Sequence, residues 1–348
     1  MQSIRTPSYD VFIENGLVGR LGDRIPPALM PRRALLVADE TVARRYGARA
    51  KRSLEAVGIQ VHTLPLKAGG YCQTLNALKE IAAKLNELNM GAEDALVPMG
   101  GGVLCDMGGF AAWNHKQMIR LIQVPTTLIG MTDWAIQGKT AIEHKVGSRM
   151  IGSFFPPSLI LIDPQTSFTQ PTREFDSGMA EVIKCACAAD ASLFHMLESL
   201  TGRAAVEARL EEISWRCLCI KQSLQGREQA KMMLGHHLGH VIETAQRYRG
   251  LLHGEAIGVG MLMTSRLGEA LGMTVKGTTE RIESCLTRYS LPISTFADET
   301  AFMACLRTMP RFEAVLPERV GWSILRQLDN TFLLNAWQHS HRANIRSM

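Results

Sequence analysis

The chain has 348 residues, of which 46% are hydrophobic and 20% charged, and its formal net charge is +5 at pH 7. Since this length exceeds the size at which one hydrophobic core usually stops growing, two domains are expected. The composition excludes intrinsic disorder. The basic residues are scattered, which argues against nucleic-acid binding, and no apolar run approaches the length of a membrane span.

Two further features bear on the compartment. The N-terminal sequence MQSIRTPSYDVFIENG has no apolar core of the length that a signal peptide needs. The eight cysteines do not form a disulfide framework in a chain this long, and the pairs Cys185/Cys187 and Cys217/Cys219 lack the two-residue spacer of zinc ribbons. We therefore expect a cytoplasmic protein with buried thiols and a small-molecule substrate, with no nucleic-acid or membrane partner.

Short apolar runs alternate with helix-like stretches in the first half of the chain. The runs are ALLVAD (34–39), IQVHTLPL (59–66), DALVPMGGG (94–102), IRLIQVPTTLIG (119–130) and SLILID (158–163). Such alternation is typical of parallel strands joined by crossover helices. We therefore predict an α/β fold that begins with a parallel-sheet domain over residues 1–165.

The pattern changes beyond this first half. From Pro171 onward, apolar residues recur at helical spacing, as in REFDSGMAEVIKCACAAD and IGVGMLMTSRLGEALG, and strand candidates are few. We place a domain boundary near residue 166 and predict a helical domain over residues 166–348.

A run of three glycines follows the third apolar strand. Gly100, Gly101 and Gly102 allow the backbone to approach a dinucleotide pyrophosphate, and the dipole of the next helix favours the negative charge. Asp106, one helical turn later, faces either this cofactor or solvent. Thr126 and Thr127 end the neighbouring strand, where their hydroxyls either bind the cofactor or cap the turn.

Histidines provide the first indication of a metal site. His236 and His240 are four residues apart, so on a helix both imidazoles project from one face, whereas His237 points elsewhere. His253 begins the next helical stretch and is a third candidate. Histidines near helix ends also cap or pack, so the pair alone leaves both interpretations open.

A carboxylate strengthens the metal interpretation. Glu181 lies in SGMAEVIK, on an otherwise apolar helix face where an unpaired carboxylate is costly to bury, so a nearby cation is expected. Lys184 is an alternative to a metal as that cation. One Glu and two His leave open coordination positions, which is typical of a catalytic rather than a structural zinc site.

Asp133 and Lys139 lie in MTDWAIQGKTAIEH, which we predict to be a loop with a glycine immediately before the lysine. A surface ion pair and an active-site pair both fit this pattern.

Several segments together resemble a known family. They are GGGVLCDMGGF, VPTTLIGMTDWAIQGKTAIEH, MIGSFFPPSLILID, REFDSGMAEVIK, GHHLGH and LHGE. In order and spacing they resemble the dehydroquinate synthases, members of the sugar-phosphate cyclases. The resemblance is looser towards both ends of the chain.

This resemblance implies an N-terminal Rossmann-like, NAD-binding domain and a C-terminal all-helical metal-binding domain, in a homodimer. It implies one divalent metal, zinc or cobalt, held by Glu181, His236 and His253, with His240 as a proton relay. The other implied active-site residues are Asp133, Lys139, Lys184 and Lys221. The predicted cofactor contacts are Asp39, Gly100, Gly101, Gly102, Asp106, Thr126, Thr127 and Thr169.

The implied chemistry takes place on one heptulosonate phosphate. NAD transiently oxidises a ring alcohol, phosphate is eliminated, the carbonyl is reduced again, and the opened ring closes by an aldol reaction. The metal would polarise the alcohol and carbonyl oxygens, and oxidation acidifies the adjacent C–H so that phosphate can leave. The implied pathway is aromatic amino acid biosynthesis, and the lysines would hold the substrate's anionic groups.

The sequence departs from the family where the substrate should be held. Lys116, Gln117 and Met118 replace a Met-Arg-Gly, Ser148 and Arg149 replace a Lys-Asn pair, Gln229 and Met233 replace an Arg and an Asn, and the segment between Lys221 and His236 is shorter. Each lost charge-assisted hydrogen bond costs about 1.5–3 kcal/mol. We predict that Arg149 compensates, with Lys116, Arg307 and Arg311 as further candidates.

These departures leave three alternatives open. A related sugar-phosphate cyclase of secondary metabolism would act on a different substrate. A metal-dependent polyol dehydrogenase would release NADH, which a cyclase does not do in net turnover. A non-catalytic paralogue would keep the fold and the metal without turnover.

Overall fold

The computed structural model describes residues 1–6, 8–69, 72, 74–115, 118–134, 138–144, 147–224, 226–295, 298–307, 312–328 and 331, with the backbone alone at 134, 139, 142–144, 147–150, 312–313 and 327–328. The chain forms two compact units. The first comprises Met1–Gln170 with Leu210–Leu218, and the second comprises Pro171–Arg209 with Cys219–Met348.

A seven-stranded sheet forms the centre of the first unit. In chain order its strands are β1 (Gln2–Arg5), β2 (Asp10–Ile13), β3 (Arg33–Asp39), β4 (Gln60–Leu66), β5 (Ala95–Gly100), β6 (Arg120–Pro125) and β9 (Leu159–Ile162). They lie side by side in the order β1-β2-β9-β6-β5-β3-β4, and every pairing is parallel except that of β1 with β2. The predicted parallel sheet is confirmed. Strands β7 (Lys139–His144) and β8 (Gly147–Phe154) form a separate antiparallel hairpin.

Both faces of this sheet are covered by apolar side chains. Alternate residues of β3 enter different clusters, with Leu36 in one and Leu35 and Val37 in the other, because successive side chains of a strand point to opposite faces. The first cluster includes Leu54 of α2 (Ala48–Glu55), and the second includes Ile81 of α3 (Leu75–Glu87). Burial on both faces explains why the strands read as continuous apolar runs.

The strand order places a topological switch between β3 and β5. From β3 the chain passes to β4 on one side and then to β5 on the other. In open parallel sheets, nucleotide ligands bind at the carboxyl ends of the strands that flank such a switch. Asp39 ends β3, and Gly100 ends β5 immediately before α4 (Gly102–Asn114). Two of the predicted cofactor segments therefore flank this position.

Helices dominate the second unit. They are α5 (Thr172–Ala189), α6 (Ala191–Ser199), α7 (Gly202–Ser223), of which the middle belongs to the first unit, α8 (His236–Ala245), α9 (His253–Ala270), α10 (Thr278–Arg288) and α11 (Glu299–Arg307). None of the described helices combines the length and the apolar character that a membrane span needs.

The prediction of an all-helical second domain needs one correction. Strands β10 (Phe312–Arg319) and β11 (Trp322–Leu328) form an antiparallel hairpin whose turn contains Gly321 with a φ of +81°. Two hydrogen bonds attach it to the end of α5: Gly321 N donates to Cys187 O, and the Ser323 hydroxyl donates to Ala188 O. These tertiary contacts stabilise strands whose sequences show little apolar alternation.

Glycines allow α8 and α9 to approach very closely. A Cβ atom on Gly260 would lie 2.3 Å from the carbonyl oxygen of Gly235, and one on Gly239 would lie 2.6 Å from Ile257 Cδ1. Gly235 itself precedes α8 with a φ of +77°, a conformation that favours glycine. The two helices that carry the histidines of the predicted metal site are therefore packed nearly backbone to backbone.

Gly254 allows an equally close approach between α5 and α9. A Cβ atom on Gly254 would lie 1.8 Å from the carbonyl oxygen of Ser177, and the backbone N of Gly254 donates to the Ser177 hydroxyl over 3.1 Å. This contact holds the first turn of α9 against the helix that carries Glu181.

We predict that Gly260→Ala destabilises the second unit by about 1–3 kcal/mol, because the added methyl group forces a fixed backbone apart. Thermal unfolding of the metal-free protein measures this. Gly258→Ala on the same helix is the matched control, since its Cβ would meet no backbone atom: its nearest neighbours are the side-chain tip of Leu286 at 3.1 Å and Ala180 Cβ at 3.9 Å. Equal melting temperatures for the two variants would contradict the packing argument.

Candidate metal and cofactor sites

Glu181 is the most deeply buried acid of the candidate site. It lies on α5 with an exposed fraction of 0%, and Lys184, one turn later, is 1% exposed. The ammonium of Lys184 donates to Glu181 Oε2. Glu181 Oε1 is buried and has no hydrogen-bond partner among the described residues. The lysine therefore satisfies only half of the carboxylate.

Two histidines face this unsatisfied oxygen. His236 Nε2 lies 3.7 Å and His253 Nε2 lies 3.6 Å from Glu181 Oε1. These distances are too long for hydrogen bonds. They are close to the roughly 3.3–3.5 Å that separates two ligand atoms bound 2.0–2.2 Å from one tetrahedral ion. The geometry of this trio fits a divalent cation.

His240 lies at the open side of the cluster. Its ring centroid is 5.4 Å from that of His236 and 5.8 Å from that of His253, and its side chain is 50% exposed. One ring nitrogen from each of these three histidines lies within 4.8 Å of the others. The structure thus brings together all four residues of the predicted metal and proton-relay set.

The chemistry of the donor set also fits a metal. A carboxylate and neutral imidazoles are the usual ligands of zinc and of similar divalent ions. An unpaired carboxylate oxygen in a buried position is costly unless a cation neutralises it. Sequence reasoning left open whether Lys184 or a metal neutralises Glu181, and the structure assigns one oxygen to the lysine and leaves the other facing His236 and His253.

Glu243 is a site residue that sequence reasoning missed. It is buried on α8, and its Oε1 lies 3.1 Å from His253 Nδ1. Burial alone would lower the pKa of His253, but the hydrogen bond to Glu243 and the charges of Glu181 and Glu243 outweigh it, so this pKa is raised. The signal in the sequence was an acid one turn after His240 on an apolar helix face.

An ion pair between an exposed arginine and a buried glutamate was also missed. Arg173 at the start of α5 donates two hydrogen bonds of 2.7 Å to the Glu255 carboxylate. Glu255 Oε2 in turn accepts the backbone N–H of Leu252 over 2.7 Å, at the beginning of α9. Because His253 is the first residue of α9, this network fixes the backbone from which its imidazole extends.

His237 is separate from these functions. Burial, assisted by the charge of His240, lowers its pKa to about 4, so it is neutral at physiological pH. The prediction that it points away from the pair stays consistent with its absence from the three-histidine cluster among the described residues.

In the first unit, the glycine run forms a tight turn into α4. Gly101 is the residue that precedes the first turn of α4, and a Cβ on it would lie 3.2 Å from Thr127 Cγ2. A Cβ on Gly130 would lie 2.9 Å from Thr127 Oγ1, which accepts the N–H of Gly130. Backbone N–H groups at the start of a helix bind phosphate groups, so this turn is suited to a pyrophosphate.

The remaining predicted cofactor residues all lie in the first unit. Thr126 is buried and its N–H donates to Gly100 O over 2.8 Å. The exposed Thr169 has its hydroxyl 2.8 Å from Tyr46 Oη. Asp39 Oδ1 caps the helical turn α1 (Glu40–Val42) by accepting two N–H groups, and Asp106 is buried in α4. Their contacts with a cofactor stay predictions.

The prediction of one loop holding Asp133 and Lys139 is wrong. Asp133 is buried in a π-helical turn, Gly130–Trp134, rather than exposed in a loop. Lys139 begins β7 and Arg149 lies in β8, but the side chains of both lie outside the described part of the chain. Lys221 is half-buried in the last turn of α7. The catalytic roles of these residues stay predictions.

We predict that Glu181→Gln lowers the affinity of the metal-free protein for Co²⁺ by more than about 100-fold, because a first ligand loses its charge. Competition with a chromophoric chelator measures this. The double variant Glu181→Gln/Lys184→Met also removes the buried ammonium that loses its carboxylate partner in the single variant, and it should show the same loss. The matched control is Glu198→Gln on α6, which removes the carboxylate that accepts two hydrogen bonds from Arg281. Unchanged cobalt affinity would contradict the site.

Family comparisons cover most of the chain. Residues 63–177 match the family of 3-dehydroquinate synthase N-terminal domains, and residues 178–311 match the corresponding C-terminal family. The 3-dehydroquinate synthase of Gloeobacter violaceus is 36% identical over 328 residues, which cover 90% of this chain and 91% of the relative. That of Enterococcus faecalis OG1RF is 33% identical over 310 residues, which cover 87% of each.

Solved structures share the fold at lower identity. A 2-deoxy-scyllo-inosose synthase complexed with carbaglucose-6-phosphate, NAD⁺ and Co²⁺ has a TM-score of 0.83 and 21% identity, covering 94% of this chain and 95% of its own. The 2-epi-5-epi-valiolone synthase ValA from Streptomyces hygroscopicus, with NAD⁺ and Zn²⁺ bound, has a TM-score of 0.81 and 24% identity, covering 99% of each. With the matched domains spanning residues 63–311, the chain belongs to the 3-dehydroquinate synthase family.

Proposed function

We propose that this protein is a phosphate-eliminating cyclase of the 3-dehydroquinate synthase type, a carbon–oxygen lyase that converts a heptulosonate phosphate into a carbocycle. The observation that carries the proposal is the unsatisfied oxygen of Glu181 facing His236 and His253, in a chain whose relatives at 33–36% identity are named 3-dehydroquinate synthases. The reaction would run through transient oxidation by NAD, elimination, re-reduction and aldol closure.

In this proposal the first unit binds NAD. The pyrophosphate would lie against the turn of Gly100, Gly101 and Gly102, where Gly101 precedes α4 and makes no side-chain capping hydrogen bond. Asp39, at the end of the strand on the other side of the topological switch, is placed to bind a ribose. Thr126 and Thr127 directly follow the adjacent strand β6, so Asp39, the glycine run and these threonines lie at one edge of the sheet.

The second unit would hold the metal through Glu181, His236 and His253. When bound, a zinc or cobalt ion supplies a Lewis acid that polarises the substrate's alcohol and carbonyl oxygens. Lys184 keeps Oε2 of Glu181 occupied, so only Oε1 is available as a ligand. This arrangement orients the carboxylate before substrate arrives.

His240 would relay a proton. Its half-exposed imidazole lies beside His236 and His253, and its Nε2 is 4.0 Å from Glu243 Oε2. An imidazole with access to solvent and a carboxylate nearby can take up and release a proton near neutral pH. The step it would serve is the proton removal that accompanies phosphate elimination.

The identity of the sugar phosphate depends on residues at which this sequence departs from the family pattern. Gln229 and Met233 stand where the family has charged or polar side chains, in a 3₁₀ segment (Gly226–Met233) directly before α8. This change favours, as a second candidate, a cyclase that acts on a different sugar phosphate. The two structural neighbours named above are such cyclases. The predicted compensation by Arg149 depends on a side chain that lies outside the described part of the chain.

We predict that the purified protein, with NAD and Zn²⁺ or Co²⁺, releases phosphate from the heptulosonate phosphate without net formation of NADH. Phosphate release, absorbance at 340 nm and mass spectrometry of the product measure this together. Net NADH would indicate a polyol dehydrogenase. Turnover of another sugar phosphate would support the second candidate. Bound metal and NAD with no turnover of any sugar phosphate would indicate a non-catalytic paralogue.

We predict that His240→Asn lowers kcat by about 10²–10⁴-fold, the usual contribution of a general acid or base, while cobalt affinity remains near that of the wild type. Steady-state kinetics and cobalt titration of the same preparation measure both. His195→Asn, at an exposed position on α6, is the matched control. Loss of cobalt binding in the His240 variant would show that this histidine is a ligand rather than a relay.

A further inference from the structure

Glu243 is a buried carboxylate whose only part in the proposed chemistry is its place near His240. It lies on α8, the helix that also carries His236 and His240, and it points across to the first residue of α9. Its backbone is fixed as well, because Tyr248 N donates to Glu243 O over 2.8 Å where α8 ends. A buried carboxylate in this position requires a partner that is positively charged or that donates a hydrogen bond.

The partner is the side of His253 that faces away from Glu181. Glu243 Oε1 lies 3.1 Å from Nδ1 of His253, whereas Nε2 of the same ring lies 3.6 Å from Glu181 Oε1. A carboxylate accepts hydrogen bonds, so Nδ1 must carry the proton and donate it to Glu243. The lone pair of the neutral imidazole is then on Nε2 and points towards Glu181 and His236.

The second oxygen of Glu243 faces another member of the cluster. Oε2 lies 4.0 Å from His240 Nε2. One carboxylate therefore faces both His253 and His240, and it meets the ring nitrogen of His253 that does not face Glu181. The bond to His253 is the shorter one, so it decides the orientation of that ring.

We propose that Glu243 is the positioning residue that prepares His253 for metal binding, by fixing the tautomer and the ring orientation that direct Nε2 to the ion. This inference rests on the proposed function only in that the bound ion is the divalent metal of the cluster. Hydrogen bonds from a ligand histidine to a carboxylate typically change metal affinity by about 10–100-fold when removed. Glu243 acts through His253 and does not touch the metal.

The test is cobalt binding by the metal-depleted full chain, without substrate or NAD. We expect Glu243→Ala to weaken cobalt affinity by about 10–100-fold, and Glu243→Gln to weaken it less, because the amide oxygen still accepts from Nδ1 but carries no charge. Thermal unfolding of the metal-free variants reports on folding. If the Ala variant does not fold, the nearly isosteric Gln variant carries the test.

Two controls separate positioning from a general structural effect. Glu198→Gln, which removes a partly exposed carboxylate bonded to Arg281, should leave cobalt affinity unchanged. In a His253→Ala background, Glu243→Ala should have little further effect, because the residue through which it acts is gone. Wild-type cobalt affinity in both Glu243 variants, or an undiminished effect in the His253→Ala background, would overturn the inference.

This measurement is independent of turnover. A wild-type chain that binds cobalt in a Glu243-dependent manner but forms no product would refute the cyclase and leave the positioning role intact. Conversely, a cyclase whose cobalt affinity does not depend on Glu243 would refute only the positioning role.

Discussion

The arrangement of the polar groups in the second unit depends on the free-energy cost of burying the Glu181 carboxylate. Lys184 neutralises Oε2, but Oε1 has no hydrogen-bond partner among the described residues and faces His236 and His253. Three helices must meet closely for this to occur. Glycines at 235, 239 and 260 allow α8 to approach α9, and Gly254 allows α9 to approach α5. Because glycine has no side chain, the three helices can approach closely enough to bring Glu181, His236 and His253 together.

The surrounding contacts hold the cluster in one geometry. Arg173 and Glu255 fix the first turn of α9, and Glu243 binds the far side of the His253 ring. A metal site needs ligands held in place before the ion arrives, because ordering flexible side chains would reduce its affinity. In the first unit, by contrast, the backbone itself forms the candidate binding surface, at the turn from β5 into α4.

Much of this could be predicted from the sequence. The parallel sheet follows from continuous apolar runs, and Glu181, His236, His240 and His253 follow from their spacing and from the family resemblance. Long-range contacts were not predictable. The partnership of Glu243 with His253 depends on how two helices pack, the β10–β11 hairpin depends on its bonds to α5, and Asp133 proved to be buried in a helical turn rather than a loop.

X-ray absorption spectroscopy of the zinc-loaded protein tests the central claim most directly, because it identifies the atoms bound to the metal. We expect only nitrogen and oxygen neighbours at about 2.0–2.2 Å, with the multiple scattering of imidazole rings. Among the described residues, the cluster of potential metal ligands consists of His236, His240 and His253 and includes no cysteine. A zinc–sulfur distance of about 2.3 Å, or no retained zinc, would contradict a metal centre at Glu181.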